Sequence, residues 1–409
     1  MLFDVTRSYR YRLQPSRLQA IVLLRWLSLT RELYNAALTE RKGAWKKQRK
    51  SISLYDQMQE IPDIRQVRPE FGSIPVVILR GVLRRLDLAF AAFFRRCKSG
   101  EKPGYPRFKG QGQLESILID DLNKKSPIVS GGKRVAIPLL GKVRFKQHRP
   151  IQGTPKAMRL KLEADDHWYV TFACVDVPMA PLEPTGQEVG VDLGLLTFAA
   201  TSDGEMFENP RPMKTARITV ERAQRRVSRR VRGSKRWRNA VRLLAKEHLH
   251  VANARREHHI AVARTLVEKY DTIHVEALNI KGLASGMLAK SVNDAGWGGF
   301  LHWLHVKAES AGRVVVEVNP SGTSQVCSGC GSVGEHKSLA VRVHQCPDCG
   351  LVLDRDVNAA RNILKLGKSL QGAAPAVSGR RRSAKSAALQ RPGHASPRSH
   401  NAQKVLLSE

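Results

Sequence analysis

Two cysteine pairs, Cys327/Cys330 and Cys346/Cys349, constrain this chain more than any other feature, because two C-x-x-C turns can bring four sulfurs onto one ion. The spacer between the pairs (331–345) has the length used by four-thiolate zinc ribbons, and Gly331 and Gly350 supply the backbone freedom such knuckles use. A closed set of four thiolates leaves zinc no open position, so the metal expected here is structural. A redox pair or four independent thiols are the alternatives. His336 and His344 are near in sequence but are not needed to complete a tetrahedron. Cys97 and Cys174 stand apart in apolar or basic surroundings and read as packing residues. Metal-type spacing in four of six cysteines fits a reducing compartment better than a disulfide framework.

A length of 409 residues with 42% hydrophobic composition is enough for a substantial core and for two or three structural units. The 69 Lys and Arg against 36 Asp and Glu leave a formal charge of +33, a field that attracts polyanions. Nucleic acid is the first candidate because the positive charge runs through folded-looking segments. A merely basic surface and a membrane-surface protein are the alternatives. No apolar run approaches the roughly 18 residues that span a bilayer, since Ile21-Val22-Leu23-Leu24 is followed by Arg25. Met1-Leu2-Phe3-Asp4 does not open like a secretory leader. A cytoplasmic protein without a membrane partner is therefore expected.

Alternating side chains over Ser8–Leu13 predict a strand that ends at Gln14-Pro15. Helical spacing follows over about 18–47 and 76–97, then Pro103-Gly104 and a series of short strands at 134–137, 143–146, 158–162 and 168–175. This predicts a β domain interrupted by a helical insert. Three prolines in 178–186 mark a linker, after which the pattern becomes α/β. Strands are expected at Val189–Asp192, Leu196–Thr201, Thr272–Glu276 and Val314–Val318. Between them, 214–256 holds 15 Lys and Arg against Glu221 and Glu247 only, and Gly233-Ser234 breaks it into a helical hairpin. Like charges repel along a helix, so this run predicts a polyanion-binding surface rather than an ordinary solvated face. A separate helix is expected over Ile260–Lys269. From Gly367 on, Ala, Ser, Gly, Arg and Pro dominate and disorder is expected; Arg380-Arg381-Arg382 reads equally well as a nucleic-acid contact or as inert tail.

Two acids, Asp192 and Glu276, end apolar strands. An ordinary turn aspartate explains Asp192 equally well, and a solvated strand end explains Glu276. Asp356 opens a predicted helix over Val357–Leu364 whose Val357, Ala360 and Leu364 would pack on a sheet. Asp354 reads as its cap. If the elements are neighbours, Asp192, Glu276 and Asp356 can pool on a pair of Mg²⁺ ions, a set suited to phosphodiester hydrolysis.

Several strings are identifiable: Gly190-Val191-Asp192-Leu193-Gly194, Val275-Glu276-Ala277-Leu278-Asn279, S-V-N-D-A-G-W-G-G-F (291–300), T-S-Q-V-C-S-G-C (323–330) and D-R-D-V-N-A-A-R-N (354–362). Together they resemble the TnpB, or OrfB, family of transposon-encoded proteins. Tyr11–Pro15, Arg31–Asn35 and Pro103–Lys109 extend the resemblance to roughly 7–366. The resemblance implies a multi-domain α/β and β chain, a miniature of the type V CRISPR nucleases. A β wedge domain would occupy 1–180 with a helical recognition insert at about 16–100. A RuvC-like domain of RNase H fold would occupy 187–320, a zinc ribbon 321–353, a last RuvC-like segment 354–366 and a disordered tail 367–409. It further implies an RNA-guided DNA endonuclease that uses a transposon-end RNA, needs a short flanking motif, and has Asp192, Glu276 and Asp356 as its Mg²⁺-binding acids. The presence of all three argues against the nuclease-dead regulators among relatives. Expected contacts to guide RNA and target DNA are Arg222, Arg225, Arg226, Arg229 and Arg230, then Lys235, Arg236 and Arg238 across the hairpin. Arg342, ahead of Cys346, is a candidate phosphate contact or a solvated ribbon arginine. A strand-joining transposase and a non-catalytic regulator are the rival functions.

Overall fold

The computed structural model describes residues 4–120, 122, 127–128, 133–319, 322–334 and 341–373. His336 and the expected disordered tail beyond 373, with Arg380-Arg381-Arg382, lie outside them. The chain divides at Gly367 into two units; of the second, residues 368–373 are described, as the end of a helix.

Alternation in β1 (Asp4–Gln14) buries Tyr9, Tyr11 and Leu13 and leaves Ser8, Arg10 and Arg12 outside. Pro15 stops the strand, and Ser16 and Gln19 form a reciprocal capping box, at 3.2 and 3.0 Å, that opens α1 (Arg17–Gln48). Two short helices follow, α2 (Leu54–Gln59) and α3 (Ile61–Val67), then α4 (Val76–Lys98). On α4, Ile78, Leu79, Leu83 and Leu86 are almost completely buried at helical spacing, each stabilising by at most about 1.5–3 kcal/mol. The chain returns as β2 (Ser116–Ile119), β3 (Arg134–Ile137), β4 (Gly141–Lys146), β5 (Thr154–Leu162) and β6 (Trp168–Pro178). These join β1 in an antiparallel six-stranded sheet, ordered β2-β5-β6-β1-β4-β3. Cys174 is fully buried in this sheet and burial pushes its thiol up to about 11. Cys97 departs from expectation: it is exposed, because the last turn of α4 turns it outward beside Lys98.

The proline-containing linker is pinned. Asp271 accepts the Thr185 and Gly186 N–H groups at 2.9 and 2.7 Å, and buried Arg313 joins Asp271 (2.5 Å) to the Glu183 carbonyl (2.8 Å). Beyond it come β7 (Glu188–Leu193), β8 (Thr197–Thr201), β9 (Met206–Glu208), α5 (Pro212–Ser228), α6 (Lys235–Lys269) and β10 (Thr272–Glu276). Next are α7 (Ile280–Leu283), α8 (Ala289–Ala295), α9 (Trp297–Ala311) and β11 (Val314–Val318). The five strands form a mixed sheet ordered β11-β10-β7-β8-β9, with β7, β10 and β11 parallel. Ile260–Lys269 is not a separate helix. No Gly or Pro interrupts 235–269, and His259 is buried against Phe198, so α6 runs unbroken for 35 residues. Finally β12 (Val343–Gln345) and β13 (Val352–Asp354) form a two-stranded ribbon that leads directly into α10 (Arg355–Ala373).

Candidate active site and metal centre

Adjacent parallel strands deliver two of the three acids. Gly190 pairs with His274 and Val191 with Val275, and the next residues toward the carboxyl ends are Asp192 and Glu276. Alternation places Gly190, Asp192, His274 and Glu276 on one face of the sheet. Helix α10 covers that face. A Cβ on Gly190 would stand 2.0 Å from the Ala360 carbonyl oxygen, and one on Gly367 would stand 1.9 Å from His274 Nδ1. Glycine at both positions lets the helix lie directly on the strands. Asp356 sits one turn before Ala360 on the same side of α10. Its Oδ2 lies 3.7 Å from the Cβ position of Gly194, two residues beyond Asp192.

Asp192 and Glu276 thus lie at the carboxyl ends of adjacent parallel strands, where open α/β sheets place their ligands, and Asp356 on α10 is near enough for its charge to act on Asp192. Burial, and then the charges of Glu276 and Asp356, hold the Asp192 carboxyl well above the usual aspartate range, against the opposing pull of Arg342 and Arg355. Burial also raises Glu276, which is 7% exposed and accepts a 2.8 Å hydrogen bond from Thr323 Oγ1. Asp356 is ion-paired with Arg342. Asp354 accepts the Asp356 N–H at 2.7 Å, so it caps α10 as expected. Buried oxygen donors that repel one another suit a hard divalent cation.

The thiols are tighter. Among the described residues, Cys327, Cys330, Cys346 and Cys349 are the one group of His, Cys, Asp or Glu whose ligand atoms all lie within 4.8 Å of one another. Cys327–Cys349 and Cys330–Cys346 sulfurs are 3.6 Å apart, close to the roughly 3.8 Å edge of a tetrahedron with 2.3 Å Zn–S bonds. The Gly331 and Gly350 amides bond back to Cys327 and Cys346 carbonyls at 2.9 and 3.0 Å, with φ of 83° and 72°, so both knuckles use left-handed backbone that glycine adopts at little cost. The Cys330, Cys346 and Cys349 thiols titrate together: a hydroxyl contact from Ser332 and then backbone amides pull the Cys346 thiol down to about 6, while, against a backbone hydrogen bond from Leu351, desolvation and the neighbouring sulfurs push the Cys349 thiol up to about 12.

Three family models match: "Probable transposase" (OrfB) over 172–286, a "Cas12f1-like, TNB domain" over 297–363 and a "Helix-turn-helix domain" over 1–50. A "Putative RNA-guided DNA endonuclease" of Streptomyces pristinaespiralis is 30% identical over 380 residues, spanning 90% of each chain. The chain belongs to the TnpB (OrfB) family. Another member, "Putative RNA-guided DNA endonuclease InsQ" of Escherichia coli K12, is 25% identical over 89% of this chain and 93% of that one. The fold also resembles Cas12f1, as seen by cryo-EM in a complex with sgRNA and target DNA, at TM-score 0.52 and 15% identity over 85% of this chain and 82% of that one. In this TnpB-family chain, the segment matching the helix-turn-helix model is a strand and a single 32-residue helix.

Two supporting residues, Asn358 and Asn362, lie in the 354–362 string without a role of their own assigned from sequence. Asn358 accepts the Ser328 N–H and donates to the Val326 carbonyl, both at 2.8 Å, and Asn362 donates to Thr323 and Val326 carbonyls at 2.8 and 2.6 Å. These bonds seat the first cysteine knuckle on α10. The i, i+4 spacing of the two asparagines was the available clue. Arg342 joins the same assembly: its carbonyl accepts the Arg355 N–H at 2.7 Å while its side chain holds Asp356. The hairpin cations Arg222, Arg225, Arg226, Arg229, Arg230, Lys235, Arg236 and Arg238 are all exposed, and none pairs with a carboxylate among the described residues.

Proposed function

We propose that this chain is an RNA-guided, divalent-metal-dependent DNA endonuclease of a transposable element. The observation that supports this reading is that Asp192 and Glu276 share the sheet face covered by α10, and that the charges of Glu276 and of Asp356, on α10, both act on Asp192. Curated relatives of the same length carry the names of RNA-guided DNA endonucleases, and Cas12f1 shares the fold. In this reading the six-stranded sheet with its helices (1–180) is the wedge and recognition unit. The mixed sheet (187–320) with 354–366 is the RuvC-like nuclease, a reading supported by its strand order, three antiparallel strands followed outward by parallel ones.

Zinc on Cys327, Cys330, Cys346 and Cys349 ties the ribbon (321–353) together and thereby seats α10. Bound to the three acids, Mg²⁺ would polarise the scissile phosphate and supply an activated water. The acids hold the charge, and their burial excludes bulk water from it. Arg342, half-exposed beside Asp356, is placed to meet a phosphate oxygen brought to that carboxylate. The hairpin cations hold the guide RNA and its DNA heteroduplex by backbone charge, and base pairing supplies sequence specificity.

Replacing Asp192 by alanine should lower cleavage of matching duplex DNA by roughly a thousandfold or more, with binding of the copurifying RNA unchanged. Cleavage at the wild-type rate would refute the active-site assignment. Joined products in a strand-transfer assay with transposon ends would make the protein a transposase instead.

A further inference from the structure

The string Ser291–Phe300 belongs to neither the acids nor the thiols, yet it forms a dense polar junction in the mixed-sheet region. Its centre, Asp294 on α8, is 8% exposed. Helix α5 starts at Pro212 behind Arg211, which takes a left-handed backbone (φ 45°) and makes no side-chain cap bond. Asp294 supplies that cap from 80 residues away: Oδ1 accepts the Met213 N–H at 2.8 Å and Oδ2 the Lys214 N–H at 3.0 Å. A carboxylate at a helix N-terminus satisfies both orphan amides and the helix dipole. Helix α6 grips the same residue, since Arg255 donates to the Asp294 carbonyl at 2.7 Å and to Oδ1 at 3.2 Å. One turn on, His259 Nε2 meets the Ala295 carbonyl at 2.8 Å. Gly296 and Gly299 make room for this grip: their Cβ positions would fall 2.7 Å from Arg255 Cδ and 3.2 Å from His259 Nδ1.

The root of α5 is fastened on its other side to the loop that follows Asp192. Asn209 Nδ2 and Arg211 Nη2 both donate to the Leu195 carbonyl, at 2.9 and 3.3 Å. A short chain of bonds thus links the basic hairpin, Asp294 and the end of β7.

We propose that Asp294 is a positioning residue, which fixes the basic hairpin against the mixed sheet and, through the 209–214 root, sets where nucleic acid held by the hairpin meets the three acids. The idea rests on the nuclease reading above, so the test separates the two. Wild type, Asp294→Ala, Asp294→Asn, Arg255→Ala and the double Asp294→Ala/Arg255→Ala variant are isolated as full chains with their copurifying RNA. Amide hydrogen exchange at Met213 and Lys214, affinity for that RNA, and kcat and KM on duplex DNA matching it are measured.

Asp294→Ala should speed exchange at the two amides at least tenfold and lower kcat about tenfold, with RNA affinity and KM within twofold of wild type. Asparagine, with one acceptor oxygen, should fall between. Adding Arg255→Ala to Asp294→Ala should cost less than Arg255→Ala alone, because the bond to Oδ1 is already gone and only the one to the residue-294 carbonyl remains to be lost. If Asp294→Ala loses cooperative melting, the asparagine variant carries the comparison. Unchanged exchange overturns the latch. Faster exchange with unchanged kcat, or a loss confined to RNA affinity, overturns its positioning role. A wild-type protein that never cuts overturns the nuclease reading and with it the positioning role, while exchange at the two amides still decides whether the latch exists.

Discussion

The two candidate metal centres differ in how they are built. The thiol centre draws on a stretch of 23 residues from Cys327 to Cys349, two glycine-turned knuckles and short backbone bonds, and its four sulfurs already lie together. The carboxylate candidate draws on three segments, from Asp192 to Asp356, whose charges act on one another and whose other partners include Arg342 and Thr323. Local construction makes a site closed and rigid. Long-range construction makes one whose geometry depends on everything that positions α10. The thiol ribbon is part of that scaffold, because it runs through β13 into Asp354 and Asp356 and is bonded to Asn358 and Asn362. The two centres are separate in chemistry but joined in mechanics.

Removing zinc breaks the comparison most severely. Zinc contributes about 10–16 kcal/mol to folding of small zinc-binding peptides, far more than the few asparagine bonds between the ribbon and α10. A Cys346→Ser chain, or wild type stripped by a chelator and returned to Mg²⁺, should lose zinc by atomic emission and lose at least a hundredfold in cleavage, although every acid is intact. RNA binding through the hairpin should persist. Wild-type cleavage without zinc would separate the two centres mechanically as well.

A smaller effect probes the same joint from the sheet side. Gly190→Ala places a methyl 2.0 Å from the Ala360 carbonyl oxygen and 2.7 Å from the Leu364 amide nitrogen, both backbone, so the helix must move. A cost of about 1–3 kcal/mol is expected from such overpacking, seen as a lower midpoint in urea. Cleavage should fall about tenfold, while zinc content stays at one per chain. Unchanged cleavage would show that the acids tolerate displacement of α10.

The same contrast explains what was legible beforehand. C-x-x-C spacing, strand alternation in β1 and the helical periods of α1 and α4 are local patterns, and the structure follows them. Asp192 and Glu276 were readable as strand ends and Asp356 as a helix start, but only the family resemblance joined them into one expected site, because their placement depends on the parallel register of β7 with β10 and on two glycines beneath α10. Short elements such as α2, α3 and β2 escaped because four to seven residues carry too little periodicity. The unbroken α6 escaped because burial of His259 and Val262 against the sheet, rather than propensity, carries the helix past 256. Asn358 and Asn362 look like ordinary helix residues until their knuckle partners are in place.

The gentlest test uses pH, because the centres should respond in opposite directions. Asp192 and Glu276 have folded-state pKa values raised above their ordinary ranges. Stability from such a group is fully present below the ordinary carboxylate range and is lost as pH rises through the raised value. In Mg²⁺-free buffer with zinc retained, lowering the pH toward the upper edge of the carboxylate range should therefore raise the melting temperature, on the order of 2 °C. Added Mg²⁺ should help most at the alkaline end, where the acids are ionised and repel one another. An Asp192→Asn/Glu276→Gln chain should lack both the slope and the Mg²⁺ response. At lower pH the thiolates take up protons and release zinc, so stability should then fall in wild type and double variant alike. If the double variant keeps the wild-type slope above that fall, the buried charge of the acids is not what distinguishes their centre from the thiols.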